Sequence, residues 1–406
     1  MTTSEDLRDA VRGKSEQAPS YATDVVELLL KAAAVRSASD VHLQPTADGL
    51  DVRWRIDGVL NPVALLPATA SGKVVARLKV LADLLTYRND VPQEGRLRET
   101  PGGLEMRLST LPTLYGEKAV VRLFAGSGRY LKVDDLGFPD DLRVRIHRLL
   151  DATSGAILFS GPAGSGKTTT IYACLREIVA RTEGRRSVAT LEDPIEVAIP
   201  GAAQTQVNIG SGLTMEAGLR ALLRQDPEVI AVGEIRDRAT AEVAFQASLT
   251  GHLVLSTFHA GNAAAVVGRL GDMGIEPYLL RSGLLAVVGQ RLVRRLCACA
   301  KDAADDDPAA RLGLDVARSR TPVGCGECGG SGYRGRLILA EMIEPDATEI
   351  GRAILSRSDV AQVEALAVSA GMVSLRERAR RAVEDVATSP AEIRRVLGVS
   401  DRTPGQ

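Results

Sequence analysis

Apolar residues follow two different spacings along this chain, and the change of spacing divides it into parts. From Thr23, the positions Val25, Val26, Leu28, Leu29 and Leu30 form one wide helical face that ends near the turn Ser37-Ala38-Ser39-Asp40. The repeat then drops to two. Val41-His42-Leu43 and Leu50-Asp51-Val52-Arg53-Trp54-Arg55-Ile56 alternate as half-buried strands do, with Asp57-Gly58 as a hairpin turn. Residues 71–85 read as a second helix, and Leu104-Glu105-Met106-Arg107-Leu108 and Lys118-Ala119-Val120-Val121-Arg122-Leu123 as further strands. Together, 23–124 predicts a small α+β domain. Residues 1–22 are polar, with Gly13 and Pro19, which predicts a flexible tail.

Gly126-Ser127-Gly128 offers a hinge in a linker over 125–138, and a helical pattern over Asp140–Leu150 follows. Over 139–296, short wholly apolar runs alternate with helical stretches, the mark of an α/β core whose mostly parallel sheet is covered by helices. After Leu296 the composition shifts to Cys, Gly and the acidic run Asp305-Asp306-Asp307-Pro308, a loop-rich insertion over 297–336. The remainder, 337–406, reads as helical and charged.

Composition narrows the classes of activity. The 406 residues suggest two or three domains, and 45% hydrophobic residues are ample for their cores. Lys and Arg (50) balance Asp and Glu (51), so no global basic field draws the chain to nucleic acid and no direct nucleic-acid contact is expected. The start Met1-Thr2-Thr3-Ser4-Glu5-Asp6 has no apolar signal core, and runs such as Leu284-Leu285-Ala286-Val287-Val288 are too short to span a bilayer, so a cytoplasmic protein is expected. Of five cysteines, four cluster late, as metal ligands do in a reducing compartment.

The stretch with the plainest chemistry is Gly161-Pro162-Ala163-Gly164-Ser165-Gly166-Lys167-Thr168, a G-x-x-x-x-G-K-[ST] loop. Ala156-Ile157-Leu158-Phe159 before it reads as a buried strand, and the chain from Thr169 onward as a helix, the context in which loop N–H groups and a helix N-terminus converge on phosphates. Lys167 would meet the β and γ phosphates of ATP, and Thr168 would give its hydroxyl to Mg²⁺. A bare strand-to-helix turn is the bland alternative, disfavoured by how well both flanks form. Val229-Ile230-Ala231-Val232 reads as another buried strand and runs into Gly233-Glu234-Ile235-Arg236-Asp237. Glu234, at such a strand tip, is the candidate to polarise an attacking water.

A further strand opens onto Glu192-Asp193-Pro194-Ile195-Glu196, where Glu192, Asp193 and Glu196 crowd together and call for a cation or arginines to offset their repulsion. His252 and His259 flank Leu253-Val254-Leu255-Ser256-Thr257. Their separation does not suit a metal pair, and each either makes a structural hydrogen bond or works near the γ-phosphate. Cys297-Ala298-Cys299 and Cys325-Gly326-Glu327-Cys328 suit a tetrahedral structural Zn²⁺. The first pair is one residue short of the usual knuckle, so a distorted turn or Asp302 would have to serve. Cys174 reads as plain core.

Taken together, these stretches resemble the secretion ATPases of type II secretion and type IV pilus assembly, from about Asp24 to Gly398. Leu219-Arg220-Ala221-Leu222-Leu223-Arg224-Gln225-Asp226-Pro227-Glu228 leading into Gly233-Glu234-Ile235-Arg236-Asp237 resembles that family's signature and Walker B box. Thr190-Leu191-Glu192-Asp193-Pro194-Ile195-Glu196 resembles its aspartate box, and Thr250-Gly251-His252 through His259 its histidine box. Ser39-Asp40-Val41-His42 and Pro92-Gln93-Glu94-Gly95-Arg96 resemble motifs of its N-terminal domain.

The resemblance implies a RecA-like P-loop core working as a homohexameric ring. It also implies that Arg96, Arg107 and Arg122 face phosphate as sensors or fingers, with Glu192 and His259 beside the reacting groups. The expectation is an ATP-hydrolysing motor that drives pilin or pseudopilin assembly through an inner-membrane platform protein, peripheral to the membrane's inner face and of the extending kind. A nucleotide-gated scaffold and a DNA-moving motor are the alternatives. This chain departs from the family in three places. It is expected to lack the additional domain that many members carry in front, so docking would be weak or use other surfaces. Phe258 and Ala260-Gly261 replace commoner residues in the histidine box, and the first cysteine pair is C-x-C.

Overall fold

The structure is a computed structural model that describes residues 10–11, 13–98, 100–124, 131–303, 314, 316–345 and 349–398. The expected hinge at Gly126-Ser127-Gly128 and the acidic run 305–308 lie outside these residues. The chain forms two compact units, Met1–Gly128 with Gly324–Arg334, and Arg129–Val323 with Gly335–Gln406.

In the first unit, α1 (Tyr21–Val35) precedes a meander of β1 (Asp40–Thr46), β2 (Gly49–Ile56) and β3 (Val59–Leu66). Then come α2 (Ala68–Leu81), β4 (Gln93–Arg96), β5 (Met106–Thr113) and β6 (Gly116–Leu123). The strands pair antiparallel in the order β3-β2-β1-β6-β5-β4. Alternation puts Val41, Leu43, Val52, Trp54, Met106, Leu108 and Val121 on the face that packs with Val25, Leu29 and Leu78 of the helices. At the hairpin turn Asp57 and Gly58 have φ of 48° and 81°, the left-handed pair that a two-residue hairpin loop needs.

Two expectations need correction here. The second helix is Ala68–Leu81, not 71–85: Pro67 sets its start, and the left-handed Asp83 (φ 61°) ends it. Nor is 1–22 wholly a loose tail, because Val11 and Tyr21 are buried in this unit's core.

The second unit begins with α3 (Asp140–Leu150), β7 (Gly155–Ser160), α4 (Lys167–Arg181), β8 (Val188–Glu192) and β9 (Ala202–Gln206). It continues through α5 (Met215–Leu222), β10 (Val229–Val232), α6 (Arg238–Leu249), β11 (Leu253–Phe258), α7 (Ala263–Asp272), α8 (Pro277–Gly283) and the long β12 (Leu284–Leu296). Beyond the short β13 (Lys301–Asp302) and β14 (Arg320–Thr321), β15 (Tyr333–Ile343) leads to α9 (Glu349–Leu355), α10 (Val360–Ser369), α11 (Leu375–Glu384) and α12 (Pro390–Leu397). Seven strands form one sheet in the order β15-β12-β7-β11-β10-β8-β9, with parallel pairing from β12 across to β9.

Why this sheet is parallel can be read from which side each residue takes. Ala156, Leu158, Ile230, Val232 and Val254 enter one core, while Ile157, Phe159, Val229, Ala231, Leu253 and Leu255 enter the core on the other side. A strand buried on both faces must be apolar throughout, and helices must cover both faces. The expectation that 337–406 is all helical is overturned, because 337–343 belongs to the 11-residue strand β15. Its Ile338, Ala340 and Met342 are buried in the second of those cores, so sheet packing outweighs the polar start Tyr333-Arg334-Gly335-Arg336.

Candidate active site

Parallel strands bring their C-terminal ends to one edge of the sheet, and ligands bind there. The loop 161–166 leaves β7 at that edge, and α4 starts at Lys167. Gly161, Gly164 and Gly166 have φ of 156°, 76° and 90°. A Cβ at Gly161 would sit 2.5 Å from both Gln290 O and Ser165 Oγ, so only glycine closes this loop. Lys167 is buried and folds back, its Nζ donating to Gly161 O at 2.7 Å and Pro162 O at 3.0 Å. Burial lowers its ammonium to about 8, with Glu234 opposing and Arg291 adding to the drop. Ser165 Oγ is buried with no hydrogen-bond partner among the described residues. A glycine-rich loop at a helix N-terminus, an orphan hydroxyl and a lysine resting on exchangeable carbonyls fit a phosphate chain with its Mg²⁺, Thr168 following at the helix start.

Two strand tips complete the edge. Glu234 follows β10, with its Oε2 2.7 Å from Arg236 Nε and its Oε1 3.1 Å from His259 Nε2. His259 follows β11, and burial first, then the Lys167 charge, holds its pKa below the usual histidine value. Its neutral form donates from Nε2 to Glu234 Oε1 and leaves Nδ1 to accept a hydrogen bond. Glu192 ends β8 and is buried. Its carboxylate accepts from Thr190 Oγ1 at 2.6 Å, from Gln204 Nε2 at 3.0 Å and from the Tyr172 hydroxyl. Burial and this carboxylate together raise the Tyr172 pKa. Asp193 is exposed, 3.8 Å from Arg236 Nη1, and the Glu196 N–H donates to the Tyr172 hydroxyl at 3.1 Å.

So Lys167, Thr168, Glu234 and His259 come together at one edge, whereas His252 does not. It precedes β11, its carbonyl accepts from Gly155 N at 3.1 Å, and its Nδ1 lies 3.0 Å from Ala247 O. The six residues of β11 put it about 20 Å from the loop, at the opposite end of the sheet. His252 has the structural role and His259 is the histidine at the site. Cys174 is core, its thiol pKa pushed up by burial.

In the first unit the three arginines form a row. Arg96 pairs with Arg107 across β4 and β5, Arg107 with Arg122 across β5 and β6, and Arg122 with Asp40 across β6 and β1. All lie on the sheet face away from the apolar core. Asp40 lies 3.1 Å from Arg122 Nε and 3.4 Å from Arg55 Nε; Glu105 lies 3.0 Å from Arg96 Nη2 and 3.3 Å from Arg107 Nη2. Like charges directly opposite destabilise a sheet, so such a row fits a surface that meets an anion.

The four cysteines also gather. The Sγ atoms of Cys297, Cys299, Cys325 and Cys328 all lie within 4.8 Å of one another. Cys325 and Cys328 Sγ are 3.7 Å apart, close to the roughly 3.8 Å edge of a tetrahedron with 2.3 Å Zn–S bonds. The N–H groups of Cys325 and Gly332 donate to Cys328 Sγ at 3.1 and 3.2 Å, as they would to a thiolate. The short C-x-C spacing therefore does not keep the first pair out of the cluster, and the donor set fits zinc.

Residues 15–395 match the family described as type II/IV secretion system protein. This chain belongs to that family. As a secretion ATPase family member it is 41% identical over 367 residues to the type IV pilus assembly ATPase PilB of Thermus thermophilus, covering 88% of this chain and 41% of that protein. It is 43% identical over 379 residues to type II secretion system protein E of Pseudomonas aeruginosa, covering 92% of this chain and 74% of that protein. The Legionella pneumophila ATPase DotB shares the fold, with a TM-score of 0.67 at 19% identity over 95% of this chain and 98% of that one. So does the pilus retraction motor PilT with bound ADP, with a TM-score of 0.55 at 24% identity over 91% and 99%.

Three residues of this secretion ATPase had no sequence signal of their own. Gln290 and Arg291 sit inside the apolar strand β12, and Tyr172 on the P-loop helix; each acquires its role from a neighbouring strand or loop. Only the pairing of β12 with β7, which sets Gly289 opposite Ser160, brings Gln290 beside the loop.

Proposed function

We propose that this protein hydrolyses ATP in a homohexameric ring and that the ring drives assembly of pilin or pseudopilin subunits through a membrane platform protein, at the inner face of the membrane. The observation that carries the hydrolysis is the meeting of Lys167, Glu234 and His259 at the C-terminal edge of one parallel sheet. Lys167 exchanges its two loop carbonyls for β and γ phosphate oxygens, and the 161–166 amides hold the rest of the chain. The Thr168 hydroxyl, with Asp193 and Glu196, would hold Mg²⁺, which would supply positive charge to the phosphates. Glu234 orients a water and takes its proton. His259, uncharged, accepts a hydrogen bond beside it. Glu192 anchors the end of β8.

Arg96, Arg107 and Arg122 would reach a neighbouring subunit's phosphates by exchanging Glu105 and Asp40 for them. That the named relatives are pilus-assembly and secretion proteins supports the assignment to such a machine. Among the described residues no helix is long and apolar enough to cross a membrane, so attachment would be peripheral.

Phosphate release across a wide protein concentration range tests the ring. Specific activity should climb steeply with concentration, because sites completed between subunits need assembly, and should vanish in Lys167→Ala. Activity at the Lys167→Ala level at every concentration would overturn the proposal.

The cysteine cluster is proposed to hold zinc as a structural staple. Metal analysis should find a single zinc per chain, lost in Cys328→Ser together with thermal stability. A metal-free wild-type protein with unchanged melting would reject it.

A further inference from the structure

Two loops frame the space around Lys167 and Glu234: the phosphate loop 161–166, and the loop 259–262 that carries His259. Both are tied to the same two consecutive residues of β12. Gln290 is wholly buried; its Nε2 donates to Ser165 O at 2.8 Å, and its Oε1 lies 3.2 Å from Thr170 Oγ1. Its backbone carbonyl is one of the two groups that leave no room for a Cβ at Gly161. The next side chain leaves the strand on the other side. Arg291, also buried, donates from Nη1 to the Gln290 carbonyl at 2.9 Å and from Nη2 to the Gly261 carbonyl.

The 259–262 loop is held at its far end as well. Ala263 N donates to Glu341 Oε1 at 2.8 Å, and Leu375 N, at the start of α11, donates to Glu341 Oε2 at 2.8 Å. Asn262 reaches Glu364 Oε2 on α10 at 3.0 Å. Glu341 is buried, so its two N–H donors are what keep a carboxylate there tolerable. A guanidinium buried on two carbonyls is likewise costly unless it fixes something. What it fixes is the stretch between His259 and the cap of α7.

We propose that Arg291 is a positioning residue for hydrolysis: by clamping the Gly261 carbonyl to the strand that also supports the phosphate loop, it sets His259 against Glu234. Gln290 is its counterpart for the phosphate loop. The inference rests on the reading of this edge as the ATP site. Its effect should divide between the two residues. Arg291→Met displaces the histidine loop and should lower kcat by about ten- to a hundred-fold, the scale of a misplacement near 1 Å, with KM within about two-fold of wild type. Gln290→Ala loosens Ser165 and the phosphate loop and should act mainly by raising KM.

The test is a mutant cycle with His259→Ala, measured by steady-state phosphate release on the full chain, with melting temperatures to confirm folding. If Arg291 acts through His259, then Arg291→Met lowers kcat in the wild-type background and adds nothing in the His259→Ala background. Arg291→Lys, which keeps the charge but loses the planar two-nitrogen fork, should recover part of the lost rate. Multiplying losses in the double variant, an unchanged rate in either single variant, or a rise in KM equal to the fall in kcat would overturn the proposal. Should Arg291→Met not fold, Arg291→Lys carries the same cycle. Failure of the underlying reading looks different, because wild type itself would then release phosphate no faster than Lys167→Ala.

Discussion

Glu234→Gln is expected to bind ATP about as well as wild type and to release phosphate about 10²–10⁴ times more slowly, the usual contribution of a positioned general base. The amide keeps the shape of the carboxylate and its reach toward Arg236 and His259, 2.7 and 3.1 Å away, but cannot take a proton. Folding should survive, because Arg236 is largely exposed and loses little when its ion pair becomes a hydrogen bond. Among the described residues Glu234 bonds to Arg236 and His259 and acts on Lys167 only through its charge, which is why binding and hydrolysis should separate. Equilibrium nucleotide binding alongside phosphate release checks this, and turnover within two-fold of wild type would remove Glu234 from its role.

Lys167→Ala is expected to abolish hydrolysis and also to weaken nucleotide binding. The lysine is a cation held in the loop by the loop's own carbonyls. A charge-assisted hydrogen bond contributes about 1.5–3 kcal/mol, so affinity should fall by roughly ten- to a hundred-fold. The rate should drop further, by about 10²–10³ or more, because charge grows on the transferring group in the transition state. Alanine suits the first position of α4, so the melting temperature should change little. Residual turnover near wild type would mean that the phosphates lie elsewhere, since no other change removes so much charge from this loop.

Much of this site was legible before the fold was known, and the boundary has a physical cause. The phosphate loop and Glu234 are written in contiguous residues whose flanks declare a strand and a helix, so local chemistry is enough. The histidines were ambiguous because the residues between them say only that both flank a strand. Which end faces the site depends on the direction of β7 beside β11, a long-range fact. Gln290 and Arg291 were hidden for the same reason, since a polar pair inside β12 acquires meaning only from the loop next door. The cysteines mark the opposite case. There local spacing argues against the first pair, yet the four sulfurs lie within 4.8 Å of one another. The strand at 333–343 has no local strand signature because half of it is polar and only its buried end follows the sheet.

The strand order has a consequence for how far this site can vary. β11 stands between β7 and β10, so the phosphate loop and the Glu234 tip are separated by two strand spacings. At about 4.8 Å per spacing that is close to 10 Å between strand axes. Peptide hydrogen bonds therefore act as a gauge block: the gap that must admit a phosphoryl group and a water is cut by backbone geometry, and side chains only trim it. Swapping one apolar residue of β11 for another leaves the gauge untouched, whereas any change that evicts the strand would close the gap whatever residues stood at its edges.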